Sequence, residues 1–452
     1  MNMRIRIPNK LSLTTENLAC IGLFLFLTKS VVKTFMYYVL RTPAQINSWV
    51  AIVLMYLPIL LILSSVQKQR VFRRFVLVWF IVFMICMVTY LVHPEYGDWL
   101  FHNKEFNIWH AIFRPDQALY LFLFISLIDD PKKIFKTLKW AGFVLIVYNV
   151  YKLFYAEFIR GYWVATGVRR GFKGEYNLGY GYDVLFLFVL FTVLGKKESK
   201  WYYCLSGIAL ICILMAGSRG PLLGVALILV IQLWDRLRKR RIAEKRTLAV
   251  LFAAVFGVII VNLPTIMMGL GFLLQRLGFS SRTVLLLMSG NYNAESGRGT
   301  IYSIALELIK TGGPFGHGIY GDRFVISQKT SLWIGYCHNI ALEILVDFGY
   351  LVGGIILLVM IYRIIRVLKA PDSEWRSLYL IFLIASSQLI LSGSLWYIAS
   401  FWATMALNFR WREKTGVRSV VRGKVPIGNL QSFCRFKCEM VSNNERKAET
   451  GV

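Results

Sequence analysis

The sequence is short of charged residues, and of negative charge above all. Only 17% of its 452 residues are Asp, Glu, Lys or Arg, and 24 acidic residues stand against 52 basic ones, so the formal net charge is +28. A water-soluble domain averages about 25% charged and about 45–50% apolar residues, whereas 57% of this chain is apolar. The composition therefore excludes an ordinary soluble globular protein.

Cysteine and histidine are too few and too scattered for a disulfide framework or a compact metal site. Four of the seven cysteines lie in apolar segments, and the pair Cys434 and Cys438 lies in the tail without two further ligands. His93, His102 and His110 are nine and eight residues apart, a spacing that matches no compact ligand motif. We predict no metal site.

Long apolar segments make up most of the chain. They run for roughly 18 to 25 residues, the length of a helix that crosses about 30 Å of hydrocarbon. The predicted spans are residues 17–40, 46–66, 75–93, 111–128, 140–158, 179–195, 201–217, 220–234, 248–270, 339–362, 376–392 and 394–411. The sequence thus predicts an all-α membrane protein with about twelve transmembrane helices.

The basic residues indicate the orientation of these spans. With the N-terminus inside, every even-numbered connection is rich in Lys and Arg, as in the run 236–241, and such loops are retained in the cytoplasm. We predict a membrane domain at residues 1–413, both termini cytoplasmic, a large extracytoplasmic loop at 271–337 between the ninth and tenth spans, and a basic tail at 414–452. The same distribution explains the net charge without nucleic acid.

Two outer regions depart from this charge pattern. Arg169, Arg170 and Lys173 precede the sixth span among aromatic residues. The long outer loop contains the four arginines Arg276, Arg282, Arg298 and Arg323. An anionic ligand explains basic residues on the translocated side, and cations mixed with aromatics suit sugars and phosphate. The alternatives are that long loops translocate regardless of charge and that the aromatics form only the interfacial belt.

Three short segments each precede a predicted helix that begins at the outer face. They are residues 217–221 (Gly-Ser-Arg-Gly-Pro), 296–300 (Ser-Gly-Arg-Gly-Thr) and 337–339 (Cys-His-Asn). In the second, apolar residues recur with helical spacing from Ile301 to Leu308, which predicts a short surface helix. Free N–H groups at a helix start favour phosphate, and an arginine adds a planar fork of donors. Alternatively, each arginine pairs only with lipid phosphate.

These motifs together resemble the O-antigen polymerase and ligase superfamily. The resemblance rests on Arg219 in Ser-Arg-Gly, Arg298 in Gly-Arg-Gly-Thr, the Pro-x-Gly-x-Gly segment at 314–318, and His338-Asn339 followed by Leu-Glu and a glycine at 349. It covers roughly residues 218–354. The predicted topology, with a large outer loop late in the chain, extends it.

The resemblance implies a metal-independent glycosyltransferase of the bacterial inner membrane that needs no cofactor. Its donor would be an undecaprenyl-pyrophosphate-linked oligosaccharide, and its partners would be the bilayer together with flippase and chain-length regulator proteins. Arg219 and Arg298 would neutralise the leaving pyrophosphate, and His338 would act as the base. We expect Glu343 to orient the base or to pair with a cation.

The remaining site residues and the exact activity are less constrained. Asn339 and His317 are predicted to contact substrate. Glu343 and Asp347 alternatively form structural ion pairs with Lys29 or Lys33. We favour polymerisation of O-antigen, capsule or exopolysaccharide repeat units. The alternatives are a ligase that transfers polysaccharide to lipid A core or protein, a non-enzymatic transporter or flippase of lipid-linked sugars, and a scaffold.

Overall fold

The computed structural model of the chain describes residues 5–6, 12–104, 106–156, 163–164, 173–174, 178–216, 220–238, 298–330 and 335–409, with a few isolated positions between 262 and 276. These residues are helical apart from turns, loops and two antiparallel pairs of two-residue strands. The strand pairs are β1 (Ile5–Arg6) with β2 (Ser12–Leu13) and β3 (Trp163–Val164) with β4 (Lys173–Gly174). The predicted helical class is confirmed for the described part of the chain.

The α-helices follow the predicted apolar segments for most of the chain. They are α1 (Thr15–Leu27), α2 (Lys29–Tyr38), α3 (Ala44–Ile62), α4 (Val66–Val92), α5 (Tyr120–Ser126), α6 (Pro131–Phe154), α7 (Leu178–Lys197), α8 (Tyr202–Met215), α9 (Gly220–Arg238), α10 (Arg298–Thr311), α11 (Gly321–Lys329), α12 (Ile340–Phe348), α13 (Gly354–Lys369), α14 (Glu374–Ala385), α15 (Gln388–Leu391) and α16 (residues 399–409). A 3₁₀ turn (Pro94–Tyr96) and three π-helical turns (Asp98–His102, Trp109–Phe113, Gly349–Gly353) complete the described helical elements.

Five helical segments within the described residues are long and apolar enough to cross a membrane. They are α3, α4, α7 from Gly179, α9, and the segment Ile340–Lys369 that joins α12 to α13. Helices α1 and α2 meet at 61° and add a sixth if they form one broken span. These helices indicate a membrane protein. The count of twelve spans and the side of the large loop remain predictions, and most of the predicted span 248–270 lies outside the described residues.

The predicted fourth span, 111–128, is not one helix. A π-helical turn ends at Phe113, and α5 begins only at Tyr120. Pro115 separates them, and proline supplies no backbone N–H to a helix. At this break the Asp116 carboxylate accepts hydrogen bonds from Arg114 Nε at 2.6 Å and Lys33 Nζ at 2.7 Å.

The lysines of α2 are therefore occupied away from the tenth predicted span. Lys29 donates to the backbone carbonyl of Asp116, and Lys33 forms an ion pair with its carboxylate. The alternative in which Glu343 or Asp347 pairs with these lysines is wrong. The long-range partner of both lysines is the polar break in the predicted fourth span.

Helix α7 lies at the centre of the bundle. It packs against α6, α8, α9 and α14, while α1 packs against α3, α5 and α6. Its residues from Val184 to Leu194 are largely buried by these neighbours. A helix that is apolar on all sides is expected to lie inside a bundle in this way. The loop helices α10 and α11 pack against each other and against α12.

A glycine-mediated contact joins the loop to the π-helical turn after α12. Helix α12 ends at Gly349, which has φ +73°, and the last carbonyls of a helix lack intrahelical partners. Here the Val346 and Asp347 carbonyls accept the N–H groups of His317 at 2.8 Å and Gly318 at 2.9 Å. Gly316 has φ +79°, and a Cβ there would lie 2.3 Å from the Gly349 nitrogen. The Pro-x-Gly-x-Gly segment is thus a backbone-to-backbone joint.

Candidate functional site

The predicted amphipathic helix forms α10, and its apolar face is buried as expected. Ile301, Ile304, Ala305 and Leu308 are the buried residues of this helix. They form a small core with residues of α11 and α12. Burial of this face fixes the start of α10, and with it Arg298, beside the start of α12.

His338 lies immediately before α12 in an unusual backbone conformation. Its φ is +52°, a region that few non-glycine residues adopt and that is enriched at functional sites. Its ring lies 4.0 Å, centroid to centroid, from the Tyr336 ring. Its Nδ1 is buried and has no hydrogen-bond partner among the described residues. The side chain is therefore held in place with one ring nitrogen unused.

The pKa of His338 is lowered to about 4, first because burial disfavours the imidazolium and next because the positive charge of Arg298 opposes it. Arg323 lowers it further, and Asp322 opposes the shift. The imidazole is consequently neutral at pH 7 and has a lone pair free to accept a proton. The influence of Arg298 also shows that the two predicted residues are brought near each other.

The start of α9 reaches the same region through Tyr182 of α7. A Cβ added at Gly220 would lie 2.0 Å from the Tyr182 hydroxyl oxygen, so only glycine permits this contact. The Tyr182 hydroxyl is buried without a partner among the described residues, and it lies within the field of Arg298 and Tyr336. Arg219 itself lies outside the described residues. Its neighbour Gly220 nevertheless contacts Tyr182, which interacts electrostatically with Arg298.

A buried ionic cluster around Arg323 lies behind His338. Arg323 is 2% exposed, and its guanidinium donates to Asp322 at 2.7 Å, to the Ser394 hydroxyl at 2.7 Å and to Glu343 at 3.2 Å. The ring of Tyr320 lies 4.3 Å from its Cζ. A buried arginine keeps its charge only when it is paired in this way. The acidic partners and ring hold the Arg323 guanidinium permanently protonated.

The Arg323 cluster also fixes the backbone that leads into His338. The second oxygen of Asp322 accepts the N–H of Cys337 at 3.1 Å. Tyr336, which packs on His338, lies 6.0 Å from the Arg323 guanidinium carbon. The cluster therefore fixes residues 336 to 338 through two contacts, the hydrogen bond from the Cys337 N–H to Asp322 and the packing of Arg323 near Tyr336.

Glu343 is predicted either to orient His338 or to pair with a cation. In the structure it forms an ion pair with Arg323. Its Oε1 also accepts from the Ser394 hydroxyl, and its Oε2 accepts the N–H of Leu395 at 3.0 Å. Both oxygens are thus occupied, and no hydrogen bond to His338 is present. The remaining buried carboxylate, Asp347, accepts from the Trp396 indole at 3.2 Å.

Sequence reasoning did not single out Arg323. It was grouped with the other arginines of the outer loop, although a buried carboxylate such as Glu343 demands a cationic partner. The signal is Glu343, because an ionisable group within an apolar helix predicts a polar partner but does not identify it. Only the fold shows which of the loop arginines reaches it.

Two predicted substrate contacts have structural partners. Asn339 caps α12 by accepting the N–H groups of Ala341 at 2.9 Å and Leu342 at 3.3 Å, as an N-terminal cap does. His317 places its Nε2 3.0 Å from the Leu308 carbonyl at the end of α10. Substrate binding by either residue remains a prediction.

The predicted sites before α7 are not placed. Arg169 and Arg170 lie outside the described residues, and Lys173 belongs to the short strand β4, in which only the backbone is described. Their proposed contact with sugar or phosphate remains a prediction. The central groups that the structure does bring together are Arg298, His338, Tyr336 and Tyr182.

The site thus combines the neutral imidazole of His338, just before α12, with the positive charge of Arg298 at the start of α10, in a protein whose helices indicate a membrane protein. Residues 204–358, from α8 into α13, match the family model described as O-antigen ligase. The match confirms the resemblance to the O-antigen polymerase and ligase superfamily over that segment, whose members are glycosyltransferase-like enzymes. No curated protein matches the chain.

Proposed function

We propose that the chain is a glycosyltransferase that polymerises undecaprenyl-pyrophosphate-linked repeat units of a surface polysaccharide at the outer face of the bacterial inner membrane. The observation that carries the proposal is a neutral His338 in the field of Arg298, with a buried Nδ1 that has no hydrogen-bond partner among the described residues. The match of residues 204–358 to the O-antigen ligase family supports the same reaction class.

The proposed reaction is a displacement at the anomeric carbon of the donor sugar. The acceptor hydroxyl oxygen forms the new bond to that carbon while the bond from the carbon to the pyrophosphate oxygen breaks. Undecaprenyl pyrophosphate leaves with the electron pair, and the hydroxyl proton passes to His338. Arg298, with Arg219 as the second expected arginine, stabilises the charge that grows on the leaving oxygen.

Donor binding adjusts the strength of the base. The pKa of His338 is about 4 because of burial and then of Arg298, so the free imidazole is a weak base. A bound pyrophosphate places negative charge beside Arg298 and compensates this second cause. The pKa of His338 therefore rises towards neutrality only in the donor complex, where general-base catalysis typically contributes about 10²–10⁴-fold.

Glu343 and Arg323 act as positioning residues in this proposal. Neither has a free oxygen or an exposed nitrogen directed at substrate, since both are fully buried and engaged with each other and with Ser394. Their pairing holds α11 against α12, and Asp322 then holds the N–H of Cys337. The geometry of His338 depends on this chain of contacts.

A ligase is the second candidate, because the matching family model is described as O-antigen ligase. Both reactions use the same donor and the same base and differ only in the acceptor. A transporter without chemistry would need neither a base nor a charge that senses the leaving group. Product analysis separates the three functions.

The test is complementation of a deletion strain that lacks the chain, with polysaccharide ladders resolved by electrophoresis. We expect the wild type to restore a ladder, and we expect H338A and H338Q to restore none at equal membrane levels, because a glutamine amide accepts no proton near neutral pH. A full ladder from H338Q would overturn the base assignment. Restored single repeat units with no polymer would indicate transport.

A further inference from the structure

A cavity with both apolar and polar lining residues opens inside the bundle beside the proposed site. It has a volume of about 480 Å³ and lies among α1, α2, α5, α6, α7, α14, α15 and α16. This volume is within the roughly 300–1,000 Å³ typical of small-molecule sites. Tyr182 lines the cavity and also contacts Gly220 at the start of α9, so the cavity adjoins the region of Arg298.

Charged groups of both signs line the cavity. Lys29 and Ser30 line it from α2, at the bend that follows α1, and Asp183 lines it from α7. Asp183 is accessible to solvent although protein surrounds it. Lys29 uses one donor on the Asp116 carbonyl, and an ammonium group has three. Charges of both signs suit a neutral ligand with many hydroxyl groups better than an anion.

Two buried polar atoms on the cavity wall have no hydrogen-bond partner in the part of the chain that the structure describes. They are the Asn149 Oδ1 and the Tyr182 hydroxyl, neither of which is hydrogen-bonded within the described residues. Buried polar groups are almost always satisfied, so each such exception requires an explanation. Aromatic side chains, including Tyr148, supply apolar surface between them. Acceptors, donors and aromatic rings therefore line one space.

We propose that this cavity binds a neutral pyranose of the oligosaccharide substrate, with Asp183 and Asn149 accepting hydrogen bonds from ring hydroxyls. The inference rests on the proposed function and names where its sugar is held. Tyr182 connects the cavity to the start of α9, so a sugar ring seated there extends towards Arg298 and His338. The polar groups then orient the ring, and the pyrophosphate stays outside the cavity at the arginines.

The test is protection of a cysteine in the cavity from a small, charged methanethiosulfonate. Cys20, Cys204, Cys434 and Cys438 are replaced by serine, the buried cysteines are kept, and Ala399→Cys is introduced in the cavity wall. Phe315→Cys, in the loop and 73% exposed, is the matched control. The probes are the repeat-unit oligosaccharide released by mild acid from the lipid-linked precursor, and inorganic pyrophosphate.

We expect saturating oligosaccharide to slow labelling at position 399 at least fivefold and to leave position 315 unchanged, whereas pyrophosphate alone protects neither. Asp183→Asn and Asp183→Leu should raise the oligosaccharide concentration needed for protection by about tenfold to a hundredfold, which is the effect of losing one hydrogen bond to a charged group. Equal labelling of position 399 with and without oligosaccharide, or protection that survives both Asp183 variants, would overturn the proposal.

The outcomes separate this proposal from the proposed function. Protection is measured again in H338A, where catalysis is absent but the cavity is intact, and we expect it to be unchanged. Polymer formation by the Ala399→Cys protein without protection at position 399 would refute the cavity assignment and leave the enzyme assignment in place. Protection without any glycosyl transfer would refute the enzyme and keep the sugar site.

Discussion

Replacement of Glu343 distinguishes a positioning role from a catalytic one. In Glu343→Ala, Arg323 keeps Asp322 at 2.7 Å and loses its second carboxylate, while the Ser394 hydroxyl and the Leu395 N–H lose their acceptor. Breaking a buried pair costs about 3–5 kcal/mol. Since one acidic partner remains, we expect about 3 kcal/mol of destabilisation, together with loss of activity.

Glu343→Gln retains the hydrogen-bond acceptor but removes the charge. One hydrogen bond to a charged group contributes about 1.5–3 kcal/mol, so this variant should lose less stability than Glu343→Ala and keep part of its activity. The matched control is Glu307→Ala, which removes an exposed ion pair with Lys329 at 2.7 Å. Exposed pairs contribute about 0–1 kcal/mol.

The assay measures thermal unfolding of the detergent-purified variants by fluorescence, in parallel with polysaccharide ladders. We expect the unfolding midpoints to fall in the order control, Gln variant, Ala variant, with activity following the same order. A Gln variant that unfolds like the wild type but makes no polymer would show that Glu343 takes part in the chemistry. That result would refute the positioning argument.

Three further predictions concern the base, the arginine and the glycine joint. Since the pKa of His338 is lowered to about 4 in the free protein, kcat/KM should be flat from pH 6 to 8 and fall only near pH 4. The value of kcat reports the donor complex and should begin to fall at a higher pH. If kcat and kcat/KM fall at the same pH on the acid side, the coupling of His338 to Arg298 is contradicted. Arg298→Lys should lose most activity at normal membrane levels, because a point charge does not reproduce the bidentate fork, and full ladders would contradict this. Gly316→Ala should lower the unfolding midpoint, since strained left-handed backbone costs about 1–3 kcal/mol, whereas Gly354→Ala, with open space at its Cβ, should be neutral or stabilising, and equal midpoints would contradict the joint.

Local sequence patterns predicted the parts of the site that depend on local interactions. The apolar spacing from Ile301 to Leu308 gave α10 and its buried face correctly, because one helical turn determines which residues share a face. Asn339, at the start of the predicted tenth span, caps α12 through a contact with the first turn of that helix. These features need no knowledge of the rest of the chain.

The remaining parts depend on long-range partners that no local pattern specifies. Arg323 pairs with Glu343 across 20 residues and with Ser394 across 71. The contact between Gly316 and Gly349 depends on the end of α12 at Gly349, which leaves the carbonyls of Val346 and Asp347 free for the loop. In the same way, hydropathy predicted one span at 111–128, because a single proline and a charged pair barely change the average of an apolar segment.

The most direct measurement of the central claim is reconstitution of the purified chain in lipid nanodiscs with purified undecaprenyl-pyrophosphate-linked repeat units as the only substrate, in the presence of EDTA. The account predicts lipid-linked dimers and longer chains, one undecaprenyl pyrophosphate released for each bond formed, and neither product from H338Q. Transfer that occurs only after lipid A core is added would show a ligase instead, and equal product from H338Q and the wild type would contradict the mechanism.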